Sequence, residues 1–464
     1  MNTWIPDLRK YSGPRYKAIA AAMADAIRHG DLPPGMQLPT HRSLADALGV
    51  TVGTVTRAYA EAERLGLVEG HVGKGTFVRG SSQSGRRFAI HDVAEDVVDL
   101  SLNLPPRFDL TDTLRETATR LAADPARLSQ VMSYQPEAGM PEHRQILARW
   151  AHEHIQADAD AARMVLTAGG QHAIDVSLRA VLRAGDVLLT EQLTYPGVLA
   201  SAGQQELVVR PVAMDEEGLC PEALDAACRQ YAPRALYCTP TLQNPTTATQ
   251  SLARREAILD VCRRHQVLII EDQVNGPLAE HAPLPLQALN PEGVIFVGSL
   301  SKVLSGALRT GFVLAPSRWA SLIGDAVRAS CWMASPLTAD IACDWISRGV
   351  ARELLTLHRN LMREAAGRAA AILAGHDLVT APCAMHAWLK LPDPLRAEHV
   401  VAEAARQGVL IKSAGTFAVG QGSVPQGVRL ALSGAADMGQ LERALHVLAG
   451  LLDSRSPLKR YAVF

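Results

Sequence analysis

Apolar residues recur at helical spacing from Pro14 to His29 (PRYKAIAAAMADAIRH), and DLPPG follows as a stop. A second helix is expected from about Thr40, with Leu44, Ala45 and Leu48 on its buried face. Gly49-Val50 closes it, and Thr51 caps a third helix through TVGTVTRAYAEAERLG. GLVEGHVGKGTFV then reads as two short strands around a Gly-Lys-Gly turn. From about Leu100 the pattern changes. Short apolar runs (MVLTA, DVLLT, RALYCTP, VLIIED, GVIFVGS, TGFVLA) alternate with amphipathic stretches such as QHAIDVSLRAVLRAG and SLARREAILDVCRRH. That alternation predicts a mostly parallel sheet covered by helices. After about Asp340 the chain turns helix-rich and ends in strands near HAWLKLP and GVRLALS, as a smaller α+β part would.

This organisation gives three segments. Residues 12–80 form helix, Gly-containing turn, helix and wing, a winged helix-turn-helix. Residues 81–97 are small, polar and charged, and read as a linker. Residues 98–464 form the α/β part, with a large subdomain over about 130–340 and a small one over about 341–464. A length of 464 residues fits this division, since a single core rarely serves a chain so long.

Charge changes the picture only locally. The net charge is −1, so any nucleic-acid binding must come from a local basic surface. Met1–Gly80 holds ten Lys+Arg against seven Asp+Glu, a balance of +3 that leaves the remainder at −4. Thr51, Thr54 and Arg57 fall on the first turns of the expected recognition helix, Arg42 (or His41) starts the preceding one, and Lys74 stands at the wing tip. Helix-surface ion pairs are the plainer reading of Arg42 and Arg57, and capping that of Thr51. The seven cysteines include no C-x-x-C pair, and no run of eighteen apolar residues or apolar leader occurs. Free thiols, a cytoplasmic location, no membrane span and no metal site are expected.

The chemistry concentrates in Val297–Gly311, VGSLSKVLSGALRTG. Lys302 can form a Schiff base with an aldehyde. Ser299 and Ser301 offer hydroxyl donors to a phosphate, and Arg309 offers a bidentate fork. These are the parts of a pyridoxal 5′-phosphate (PLP) pocket. TAGGQHAID supplies a strand end, Gly169, Gly170 and Gln171 at the start of a helix, where main-chain N–H groups meet phosphate. Asp272, ending VLIIED, fits the carboxylate that keeps a pyridine nitrogen protonated, though strand-end helix capping is its alternative. Asn244 in LQNPTT can meet the ring hydroxylate or simply make a turn. Tyr195 in LTYPG can stack on the ring or pack in the core. His172 and His386 read as ordinary packing or surface histidines.

TAGGQHAI, TYPG, QNPT, IIED, SLSKVLSGALRTG and VRLALSG, in this order, resemble the fold-type I aminotransferases over roughly residues 98–450. LPTHRSLADALGVTVGTVTRAYAEAERLGLVEGHVGKGTFV resembles the winged helix-turn-helix of GntR regulators. Together they resemble the MocR subfamily of bacterial transcription regulators. The resemblance implies an α/β fold in which a winged helix-turn-helix precedes a fold-type I PLP-dependent aminotransferase-like domain. It also implies an operator in double-stranded DNA and a homodimer, expected to be head-to-tail. The effector would be an amino acid, an amine or PLP itself, sensed at Lys302. Arg429 is similar to the arginine that grips an α-carboxylate, with an internal ion pair as its alternative, and Tyr134 matches a tyrosine that reaches the partner subunit's cofactor phosphate. Two positions depart from the family. Asn275 stands where a tyrosine commonly donates to the ring hydroxylate, and Thr247 where a glycine follows N-P-T. The first departure favours a sensor over an efficient enzyme, with a working aminotransferase that keeps a DNA-binding appendage as the alternative.

Overall fold

The computed structural model describes residues 4–11, 13–29, 31–32, 36–64, 67–71, 75–78, 97–420 and 424–453, in two compact units that divide between Ala89 and Ile90. The 81–97 linker lies almost wholly outside the described residues, and Lys74 lies outside them too.

In the first unit, α1 (Arg15–His29), α2 (His41–Leu48) and α3 (Val52–Arg64) precede the antiparallel hairpin of β1 (Val68–His71) and β2 (Gly75–Val78). Local chemistry sets the α2 boundaries. Thr40 Oγ1 accepts from the Ser43 N–H at 3.2 Å, and Gly49 leaves the helix at φ 61, where glycine carries no Cβ penalty. The helical apolar spacing has a direct consequence: Ile19, Met23, Leu44, Ala45, Val55, Ala58 and Ala62 close one core with Val68 and Val78 from the hairpin. Tyr59 joins it and donates its hydroxyl to the Pro39 carbonyl at 2.7 Å.

The second unit is built on a seven-stranded sheet. Its order is Met164–Thr167, Gly311–Leu314, Val294–Ser299, Leu268–Asp272, Ala235–Cys238, Val187–Glu191 and Val208–Val212. Only Gly311–Leu314 runs antiparallel to its neighbours. The inner strands are buried on both faces, which explains why they read as unbroken apolar runs rather than alternations. The strand missing from the sequence reading is Val208–Val212. Arg210 and Pro211 interrupt its apolar pattern, and both are tolerated because it is an edge strand. Leu268–Asp272 and Val294–Ser299 are adjacent and parallel, so Asp272 and the segment after Ser299 emerge side by side at their C-terminal ends, where ligand sites form in open α/β sheets. A four-stranded antiparallel sheet (Leu378–Val379, Ala387–Lys390, Gly427–Leu430, Lys412–Ser413) lies further along the chain. The long helix Val350–Ile372 packs against the C-terminal helix Met438–Leu452. The short strand Val98–Asp99 pairs with Val409–Leu410, which carries the segment after it back to the sheet's C-terminal edge. Among the described residues, no helix is long and apolar enough to cross a membrane.

Candidate functional site

Lys302 sits in the turn after Val294–Ser299, and its Nζ donates to the main-chain oxygen of Asn103. Burial lowers its pKa to about 8, helped by the Arg429 and Arg309 charges and opposed by Asp272. At neutral pH a useful fraction of the amine is therefore unprotonated. Asp272 is 6% exposed. Its two oxygens accept from the Tyr237 hydroxyl at 2.6 Å and the Val274 N–H at 2.9 Å. Burial raises its pKa, while Tyr237, Val274 and Lys302 pull it down.

Gly169 (φ 84) caps the helix Gly170–Val181 without a side-chain bond, and no acidic residue stands in that helix's first turn. Arg309 donates to the Ala168 carbonyl at 3.0 Å and lies against Gly169, where an added Cβ would fall 2.6 Å from Nη2. Gly311 makes an equally close approach to main chain, for a Cβ there would lie 2.6 Å from the Gly169 carbonyl carbon. Ser299 Oγ accepts from the Ser301 N–H and lies 3.1 Å from Ser301 Oγ, so both hydroxyls face one turn. Helix amides, two hydroxyls and one guanidinium thus converge on the same strand-to-helix corner. Tyr195 precedes the helix Pro196–Gln204, and burial raises its phenol to about 12. Only glycine fits at Gly197, because a Cβ would strike the Tyr195 ring and Gln171 Oε1. Gln171 donates to the Gly197 carbonyl at 3.0 Å, which ties the two helix starts together.

Arg429 is 5% exposed and lies over the Phe417 ring at 4.9 Å. It donates to Asn244 Oδ1 at 2.9 Å and to the Ser101 carbonyl at 2.5 Å, while its buried Nε has no hydrogen-bond partner. No carboxylate pairs with it among these contacts, so the plain ion-pair alternative does not describe it. Asn275 is buried and gives its amide to the Leu242 carbonyl at 3.0 Å, so it supplies no substitute for a phenol. Thr247 adopts φ 64, a conformation that costs a β-branched residue far more than the glycine expected there.

Tyr134 is not brought to this site within one chain. It is 81% exposed and meets the 59%-exposed Trp332 edge-on, ring centroids 5.9 Å apart. Sequence reasoning passed over Tyr237 and read His386 and His172 as ordinary packing or surface histidines; the structure gives all three specific partners. Tyr237 holds Asp272; its signal was one phenol hydroxyl inside the apolar strand ALYC, beside the strand that ends in Asp272. His386 is 1% exposed, donates from Nε2 to the Gln243 carbonyl at 3.0 Å, and lies near Asn103. Burial, with the Arg429 charge next, holds it neutral, its pKa lowered to about 3. Its signal was equally slight, a single polar residue inside APCAMHAW. His172 is the third, with specific partners in Ala168 and Ser330.

In the first unit, Arg42 and Arg57 are exposed on α2 and α3. The Thr51 hydroxyl caps α3, accepting from the Thr54 N–H at 3.2 Å and lying 2.9 Å from Thr54 Oγ1. His41 Nδ1 lies 3.1 Å from Thr56 Oγ1 and packs edge-on against Tyr59.

Two family models match. Residues 95–448 match the class I and II aminotransferases, and residues 15–78 the gntR family of bacterial regulatory proteins. An uncharacterized HTH-type transcriptional regulator of Bacillus subtilis (strain 168), YdeF, is 27% identical over 452 residues, covering 97% of each chain. Among solved structures, an archaeal alanine:glyoxylate aminotransferase superposes with a TM-score of 0.71 at 23% identity, over 86% of this chain and 99% of its own. The α-aminoadipate aminotransferase LysN of Thermus thermophilus, solved with N-(5′-phosphopyridoxyl)-L-leucine, gives 0.69 at 23%, over 80% of this chain and 96% of its own.

The cofactor of that fold is PLP, and the residues present fit it. The glycine corner would be filled by any Cβ, and a buried guanidinium nitrogen lacks a partner. The residues gathered there include an amine able to condense with an aldehyde, a carboxylate able to accept from a ring nitrogen and hydroxyls able to donate to a phosphate. The chain belongs to the class I and II aminotransferase family and joins that PLP-dependent domain to a GntR-type DNA-binding domain, the arrangement of the MocR transcription regulators.

Proposed function

We propose that this regulator senses a small amine or amino acid at Lys302 and converts the exchange into a change in operator binding. PLP, when bound, supplies an aldehyde that condenses with amines and a ring that withdraws electrons. In this reading Lys302 Nζ would hold the cofactor through its aldehyde, the group for which a ligand amine would compete. Asp272 faces the ring nitrogen, braced by Tyr237. Gly169, Gly170, Gln171, Ser299, Ser301 and Arg309 hold the phosphate. Asn244 meets the ring hydroxylate, and Tyr195 lies on the ring face. Arg429 offers its unpartnered Nε edge to a ligand carboxylate, and its Nη1, which donates to Asn244 Oδ1, holds the guanidinium in place. Arg42, Thr54, Arg57 and Lys74 meet the operator, with Thr51 serving chiefly as a cap.

The segments 12–80, 81–97 and 98–464 act as reader, tether and sensor. A cytoplasmic homodimer carries two readers for two half-sites, and Tyr134 reaches the partner's phosphate. The observation that carries sensing over turnover is Asn275. Its amide is committed to the Leu242 carbonyl, so the chain retains the charged contacts for cofactor retention without the phenol that eases transamination.

The test titrates the PLP-loaded protein with amino acids and polyamines, following absorbance and operator affinity together. One ligand class is expected to shift both. Keto-acid formation with 2-oxoglutarate at about 1 s⁻¹ or faster establishes the enzyme reading instead, and absorbance shifts without any change in DNA affinity overturn the sensor.

A further inference from the structure

The helix Gly170–Val181 begins on a glycine that provides no side-chain cap, yet its entry turn is held from two sides. His172, its third residue, accepts from the Ala168 N–H through Nδ1 at 3.0 Å. The proton must then sit on Nε2, which lies 2.8 Å from Ser330 Oγ. That hydroxyl in turn donates to the Val327 carbonyl at 3.0 Å. The same Ala168 gives its carbonyl to Arg309 Nη2. One residue is therefore pinned at N–H by His172 and at C=O by the guanidinium that reads as the phosphate clamp.

A side chain at the third helical position that reaches back to an entry N–H resembles a capping box, where Glu or Gln normally serves, but it is set one residue further back. His172 takes the N–H of Ala168, just before the N-cap Gly169, whose own N–H goes to the Thr167 carbonyl. Here a carboxylate would set a negative charge inside a corner whose amides and guanidinium await a dianion. A neutral imidazole accepts the same hydrogen bond without that charge. Burial lowers the His172 pKa, with Arg309 and Arg179 acting in the same direction against Asp175.

We propose that His172 is the positioning residue of the phosphate corner, a charge-neutral substitute for the capping carboxylate that fixes Ala168, and through it Arg309, for an organic phosphate dianion. Its second nitrogen anchors the turn to the helix Ser317–Cys331. The proposal rests on the phosphate roles assigned to this corner under the proposed function.

Four chains decide it: wild type, H172A, H172Q and H172E, each measured for PLP affinity by equilibrium titration and for melting of the cofactor-free protein. H172A is expected to bind PLP roughly tenfold more weakly, and H172Q to recover most of that loss. H172E melts no lower than wild type, because it caps the helix, yet binds PLP at least about tenfold more weakly. With pyridoxal, which has no phosphate, the four chains bind alike. Equal PLP affinity in wild type and H172E overturns the proposal even if H172A does not fold. A wild-type chain that takes up no PLP removes instead the reading beneath it.

Discussion

At the residue scale, the chemistry is set by what surrounds each group rather than by its type. Lys302 is an ordinary lysine in the sequence, but burial and two arginines lower its pKa to about 8. Since the free amine is the reacting form, capture of PLP is expected to slow about tenfold per pH unit below that value and to level off above it. Stopped-flow mixing of cofactor-free protein with PLP across pH checks this, and a rate indifferent to pH between 6 and 8 contradicts it. The same burial makes the folded chain bind its proton less tightly than the unfolded chain. The Lys302 contribution to stability therefore improves as pH rises from about 8 toward the ordinary lysine value, and is worst below 8. Lys302, Asp272 and Arg309 could be named as candidates because an amine, a strand-end carboxylate and an arginine fall in ordered motifs. Tyr237 and His386 were not, because each is a single polar residue whose partner lies far away in sequence.

At the element scale, the cofactor corner depends on how closely two backbones approach. Gly311, on the one antiparallel strand of the seven-stranded sheet, leaves room for Gly169 at the start of the neighbouring helix. Gly311→Ala would drive a methyl into main chain rather than into a flexible side chain. The expected cost is about 1–3 kcal/mol of stability, together with loss of PLP affinity as Gly169 is pushed off the corner. Chemical denaturation and a PLP titration measure both, and a variant unchanged in each shows that the corner yields. The strand pattern was readable for the buried inner strands, whose apolar runs are unmistakable. It failed for Val208–Val212, because an edge strand tolerates Arg210 and Pro211 and so carries no such run.

At the scale of the whole molecule, a near-neutral chain must confine its DNA affinity to a small surface. Arg57 is exposed on α3, on the face opposite Val55, Ala58 and Ala62 of the core. On the proposed function, which puts one reader on each of two subunits and Arg57 on a phosphate, Arg57→Ala would remove two phosphate contacts. The slope of log K against log salt should then fall in magnitude by about 2, with PLP uptake unchanged. Band-shift titrations at several salt concentrations provide the readout. An unchanged slope with relaxed sequence preference assigns Arg57 to a base edge instead.

The sequence alone determined the two-part organisation, the helix caps and the mostly parallel apolar strands, and it singled out Lys302 as the candidate cofactor lysine, because each is written in local spacing or in a short motif. Tertiary structure decided the rest. It put Tyr237 on Asp272, turned the Asn275 amide onto Leu242, brought His386 beside Asn103, and pinned Ala168 between His172 and Arg309. Those contacts join residues from 33 to 283 positions apart, or depend on a left-handed glycine and a tautomer fixed by its neighbours. No periodicity records such pairings, because they arise only when strands and helices are packed against one another.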